Sequence, residues 1–141
     1  MLKGNILIAD DDPVLRGIYQ KKFSVCGYSI RVAENGEEVL TMIDEEEPDI
    51  LILDINMPVM NGFGVLERCP SKDRGFPILL LTNFRDEKNQ IHGKNLGANK
   101  FIIKSDITLR KLLTTIESIM VAKQCMNLEE SQETAKIDQF T

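Results

Sequence analysis

Residues 50–62 read ILILDINMPVMNG. Four apolar residues, Ile50-Leu51-Ile52-Leu53, run without a break into Asp54 and then into a loop holding Pro58 and Gly62. An apolar run this short, bounded by polar or turn residues, suits a strand covered on both faces. The same shape recurs at Ile6-Leu7-Ile8-Ala9 and at Ile78-Leu79-Leu80-Leu81, and in shorter form at Phe101-Ile102-Ile103. Tyr28-Ser29-Ile30-Arg31-Val32 alternates instead, as a half-exposed edge strand does.

Helical patterns separate these runs. Pro13 opens the first, since proline is tolerated in an opening turn. Leu15, Ile18, Tyr19 and Phe23 are read as its inner face, and Gly27 as its stop. The second covers about 37–46, with Val39, Leu40 and Ile43 inward. The third covers about 63–69 and ends at Pro70. The fourth, about 87–96, is weakly patterned and carries Gly93. The last is strong, with Leu109, Leu112, Leu113, Ile116, Ile119 and Met120 at helical spacing and Asp106 or Thr108 as a cap. Five strand–helix repeats imply an α/β fold, a doubly wound parallel sheet with right-handed crossovers. Ligands of such sheets sit at the carboxyl ends of the strands, where the strand order reverses.

The 141 residues allow one compact domain and a tail. The division expected is a domain over 1–122 and a polar tail over 123–141, either a helix extension or disordered. With 43% hydrophobic and 28% charged residues the chain is not disordered throughout. A net charge of −5 argues against direct nucleic-acid binding, which needs clustered Lys and Arg. No apolar run approaches the ~20 residues of a membrane span, and acids arrive too early for a signal peptide, so a cytoplasmic protein is expected. Cys26, Cys69 and Cys125 make neither a metal pattern nor a disulfide framework.

Polar chemistry clusters where the fold predicts a site. Asp10, Asp11 and Asp12 follow the first strand, Asp54 the third, Thr82 and Asn83 the fourth, and Lys104 the fifth. Carboxylates gathered on one rim either take up protons or hold a cation. Mg²⁺ fits an open carboxylate site that keeps several waters. Acids, cation, lysine and hydroxyl together suit a transferring phosphoryl group, whose charge must be spread over donors and metal. Asp12 is read as a helix cap, His92 as a solvated surface residue, and Met57, Met60 and Phe63 as loop packing.

ILIADDDPVLR, LILDINMPVMNG, LLLT and the lysine after FII, in that order, resemble the response-regulator receiver domain of two-component signalling, over about residues 4–122. The resemblance implies a flavodoxin-like (βα)5 sheet of strand order 2-1-3-4-5. It implies that Asp54 accepts phosphate from a sensor histidine kinase or phosphotransfer protein. Asp10, Asp11, Asp54 and the Asn56 carbonyl would hold Mg²⁺. Thr82 and Lys104 would bond the phosphoryl group, and Phe101, alternatively simple core, would be the aromatic switch. Pro58 and Gly62 match the shaped loop after the acceptor. Output would pass through the face of the fourth helix, fifth strand and fifth helix to a downstream protein.

Two positions depart from the family pattern. Asn83 stands where a small residue is usual, and could alter dephosphorylation. Ser105 stands where a proline usually follows the lysine, so a trans bond, a shifted loop or a strained cis bond is expected. The chain is expected to be a single-domain regulator, a monomer or weak homodimer, catalysing only its own phosphorylation and dephosphorylation. The alternative is a receiver-like protein-binding adaptor that ignores phosphate. A phosphatase forming an aspartyl-phosphate is disfavoured, because Asn56 stands where such enzymes place a second aspartate.

Overall fold

A computed structural model describes residues 3–83 and 86–122. The expected tail, 123–141, lies outside the described residues. The elements are β1 (Asn5–Ala9), α1 (Pro13–Val25), β2 (Ser29–Ala33), α2 (Gly36–Glu45), β3 (Ile50–Asp54), α3 (Gly62–Arg68), β4 (Ile78–Thr82), α4 (Glu87–Asn95) and β5 (Lys100–Ile103). A further helix, α5, covers residues 109–122. Short 3-10 turns occupy Ser71–Asp73 and Lys104–Asp106. The chain divides into two compact units, Met1–Leu109 and Arg110–Thr141. The sheet belongs to the first. In the second, α5 buries Leu112, Ile116 and Met120, spaced four apart along one face.

The strands pair in parallel in the order β2-β1-β3-β4-β5. All residues of β3 and β4 are buried, as their unbroken apolar runs require. One face of the sheet, carrying Leu7, Leu51, Leu53, Ile78 and Leu80, packs with Val39 of α2 and with Val65 and Leu66 of α3. α1 buries Tyr19 and Phe23, whose rings lie parallel with centroids 6.0 Å apart. Ile18 is a correction to the expected inner face: it stands 41% exposed, because a helix turns it about 100° away from Tyr19. β2 does lie at the sheet edge, but four of its five residues are half-buried rather than alternating. Its Arg31 explains part of this. The guanidinium lies over the end of α2 and donates to the carbonyls of Met42 and Glu46, placing a cation where the helix ends without a basic residue of its own.

The helix starts are capped by side chains present in the local sequence. Asp12 accepts from the Val14 amide, Asn35 from Glu38, Asn61 from Gly64 and Asp86 from Lys88. These caps start α1 and α3 within a few residues of the strands they follow. The carboxyl ends of β1 and β3 are thereby left open between helices, at the point where the strand order reverses.

Gly62 is required by close approach. A Cβ there would lie 2.6 Å from the Asp54 carbonyl oxygen and 3.0 Å from the Ile55 Cα, both backbone atoms. Its amide donates to the Ile55 carbonyl at 2.9 Å, which closes the β3–α3 loop on itself. At Gly93 the clash would be with Leu80 Cδ1, the far end of a side chain that can turn. Gly62→Ala should therefore cost about 2 kcal/mol or more in denaturant unfolding, and Gly93→Ala less than about 1 kcal/mol. Equal losses would show that the backbone at Asp54 yields as readily as a leucine methyl.

Candidate functional site at the carboxyl ends of the strands

Register brings the two central acids abreast. Ala9 lies opposite Leu53, so the next residues, Asp10 and Asp54, end adjacent strands at one level. Neighbouring strands run about 4.8 Å apart. On the other side Thr82 lies opposite Ile103, which puts Lys104 one residue beyond. Lys104 thus starts two strand spacings from Asp54, about 10 Å, and only a long side chain can cross the end of β4 to reach it. It does so: the ammonium donates to Asp10 Oδ2 at 2.7 Å and to Asp54 Oδ2 at 3.0 Å. Asp10, Asp54 and Thr82 are the buried polar or charged residues of the described chain.

Local backbone holds the acids. The Asp12 amide donates to Asp10 Oδ1 at 2.9 Å, and the Asn56 amide to Asp54 Oδ1 at 3.3 Å. Arg16 of α1 donates to the Asp10 carbonyl at 2.7 Å and pairs with Glu34 at 3.2 Å. Arg16 had no role in the sequence reading. Its helical spacing from Asp12 was visible, but not that it would turn back to the main chain. Asp11 is exposed, yet one carboxylate oxygen each from Asp10, Asp11 and Asp54 lie within 4.8 Å of one another. Asn56 and Asn83 are exposed on the same rim, and Thr82 is fully buried at the end of β4. Phe101 is half-buried and packs against the core. No cis peptide bond occurs among the described residues, so the Lys104–Ser105 bond is trans, and Lys104 opens a 3-10 turn.

The charges do not balance: Lys104 faces two buried carboxylates, with Asp11 beside them. Burial pushes the Asp54 carboxyl above the usual range and Asp10 adds to it, against the opposing pull of Lys104 and the Asn56 amide. Burial alone would lower the Lys104 ammonium, but its bonds to Asp10 and Asp54 outweigh that and raise it. The two shifts differ in origin: burial leads for Asp54, and the two carboxylates lead for the rise of Lys104. A hard divalent ion suits this donor set, because the carboxylates are close enough to share it and it would cancel the surplus.

The structure places Ile18 differently from expectation and gives His92 a ring contact. Ile18 of α1 joins Val14 and Val25 in an exposed apolar line within about 40° of helix rotation, starting beside Asp11 and Asp12. His92 is exposed as expected, yet its ring also meets Phe63 of α3 edge-on, with centroids 4.6 Å apart. Met57 is buried, and Met60 and Phe63 pack against the core. Val59, between them, is 73% exposed at φ 68°. A β-branched residue rarely adopts that backbone. The turn is closed by the Met60 amide on the Pro58 carbonyl at 2.7 Å.

Sheet order and site together define a doubly wound α/β protein with an acid–lysine pocket at its switch point. The family model described as the response regulator receiver domain matches residues 6–117. The chain belongs to that family. It is 39% identical over 102 residues to a "Probable transcriptional regulator ycf27" of Guillardia theta, covering 72% of this chain and 40% of that protein. The corresponding protein of Cyanophora paradoxa is 32% identical over 136 residues, 92% of this chain and 56% of that one. The chain therefore spans about half the length of the curated relatives it matches. A CheY-like receiver domain protein from Methanospirillum hungatei superposes with a TM-score of 0.82 at 27% identity, covering 89% of this chain and 99% of that one. The receiver-type strand order read from the motifs agrees with these relatives.

The raised Asp54 gives a pH signature with a definite sign. The folded protein binds this proton more tightly than the unfolded chain, whose carboxyl titrates near 3.8. Stability is therefore lost as pH rises through the window between that value and the raised folded one, and stays lost above it. In metal-free buffer, Asp54→Asn should melt higher than the parent at pH 7. The gain should vanish below about pH 4. A variant that melts lower at pH 7 would show that the Lys104 contact outweighs burial.

Proposed function

We propose that Asp54 is a phosphoacceptor and that the chain, with residues 1–122 as its receiver unit, is phosphorylated by a sensor histidine kinase or phosphotransfer protein in the cytoplasm. The observation that carries this reading is the Lys104 ammonium shared between Asp10 and Asp54 at 2.7 and 3.0 Å. A lysine so placed favours the ionised Asp54 needed for attack, against the effect of burial. The Asp54 oxygen would bond the phosphorus while the donor's nitrogen leaves with its electron pair.

Lys104 is already at the acceptor, so the incoming phosphoryl oxygens meet a fixed cation rather than one that must be recruited. Asp10 and Asp11, with Asp54 and the Asn56 carbonyl, would hold Mg²⁺. When bound, that ion supplies neutralisation of charge on the phosphoryl oxygens. The Thr82 hydroxyl, at the end of the neighbouring strand, would donate to the phosphoryl group. Its shift would free space for Phe101, a change of population between two packings around α4 and β5.

The exposed apolar line Val14, Ile18 and Val25 beside Asp11 supports a protein rather than a metabolite as donor. The reaction reads as self-modification of a signalling module, with output by protein contact. No helix of the described residues is long and apolar enough to cross a membrane.

Intact mass after incubation with Mg²⁺ and acetyl phosphate tests the assignment. One added phosphoryl group is expected, absent in Asp54→Asn. Lys104→Met should slow labelling about 100-fold, the usual loss for one preorganised charge donor. An unlabelled parent that still binds beryllofluoride would point to very fast hydrolysis. An unlabelled parent that binds neither would favour the phosphate-independent adaptor.

A further inference from the structure

The fourth helix is held unevenly. Of its nine residues Gly93 alone is buried and Asn89 half-buried, and the other seven are exposed along both halves, so the difference lies in contacts rather than burial. Its first half has the Asp86 cap, donated to by the Lys88 amide at 2.9 Å. Anchors gather in the second half and just beyond. Gly93 lies against β4 so closely that a Cβ would stand 2.6 Å from Leu80 Cδ1. His92 meets Phe63 edge-on. Gly97, at φ 99°, ends the helix, with the Leu96, Gly97 and Ala98 amides each bonded back at 3.0 Å.

Arg74 ties that end down. From the α3–β4 connection it donates to the carbonyls of Phe76 and Cys69, at 2.9 and 2.6 Å, and to the Gly97 carbonyl. It also donates to Asn99 Oδ1 at 2.8 Å. Asn99 in turn pairs with Ile78 in both directions at 2.9 Å, through its amide and its side-chain oxygen. One planar guanidinium thus fixes three chain segments at the amino-terminal end of β4. The opposite end of β4 carries Thr82.

We propose that α4 is a lever anchored at its carboxyl end by Arg74, so that occupation of the acid pocket is read out in residues 86–91 while 96–99 stay fixed. The force arrives at the Thr82 end of β4, next to the lightly held half of the helix. The post stands at the other end. The lever rests on the reading of Asp54 as phosphoacceptor; the anchor does not, and the two are tested separately.

Amide exchange of the whole chain by NMR decides the anchor without ligand. Helix ends ordinarily fray, but here the amides of 96–99 should be protected at least about tenfold more than that of Ile91. Arg74→Ala should raise exchange at 96–99 about tenfold, and Arg74→Lys, which keeps the charge but not the planar fork, should do so partially. Equal exchange at both ends, or no response to either substitution, would overturn the anchor. With Mg²⁺ and beryllofluoride, shifts should appear in 86–91 and spread to 96–99 only in the Arg74 variants. A response centred on 96–99 in the parent would overturn the lever. Absence of any bound ¹⁹F signal would instead sink the Asp54 reading on which the lever depends.

Discussion

One ammonium group between two buried carboxylates constrains the rest of the structure. Asp10 and Asp54 end adjacent parallel strands at the same level, and two like charges so close and so buried would repel or protonate. Lys104 offsets this from the far side of β4. The arrangement demands that β1, β3, β4 and β5 end in step, and a parallel sheet with fixed register meets that demand. A one-residue slip of any of these strands would turn its terminal polar group to the other face. The same compensation is incomplete, since one ammonium is shared by two buried carboxylates with Asp11 beside them. Surplus negative charge suits a divalent cation.

The loop after β3 shows how tightly the main chain is drawn around Asp54. Gly62 passes so near the Asp54 carbonyl that no side chain fits. Gly36 of α2 is equally close to the Met60 carbonyl, to which its amide donates at 3.0 Å. Val59, at the turn between these fixed points, bears the strain of a positive φ. The loop is over-determined on both sides, so Asn56 is presented from a firm support. By contrast α4, on the same side of the sheet as the packed core, has a sparse inner face. Rigidity and freedom are therefore distributed unequally around one pocket.

Much of this was legible before folding was considered. Unbroken apolar runs identified the buried strands, because a strand covered on both faces has no position at which a polar residue is cheap. The acids, threonine and lysine each followed such a run, so their gathering at one rim came from topology alone. Helix periodicity was less reliable at its margins. Ile18 was assigned inward on α1 because it neighbours Tyr19 in an apolar pattern, yet it joins an exposed line with Val14 and Val25. Arg31, Arg16 and Arg74 were unreadable for a common reason. Each donates to main-chain carbonyls outside its own element, and carbonyls carry no residue signature.

The sequence by itself determined the strand and helix alternation, the caps that start α1 to α4, and which residue types lie at the strand ends. Those follow from local periodicity and from side chains that bond their own neighbouring backbone. Only the tertiary structure decided that Lys104 spans β4 to meet Asp10 and Asp54 together, that its bond to Ser105 is trans, and that Arg74 secures one end of α4. Such outcomes depend on the spacing and register of strands far apart in the chain, and on charge compensation that exists only once burial has removed water.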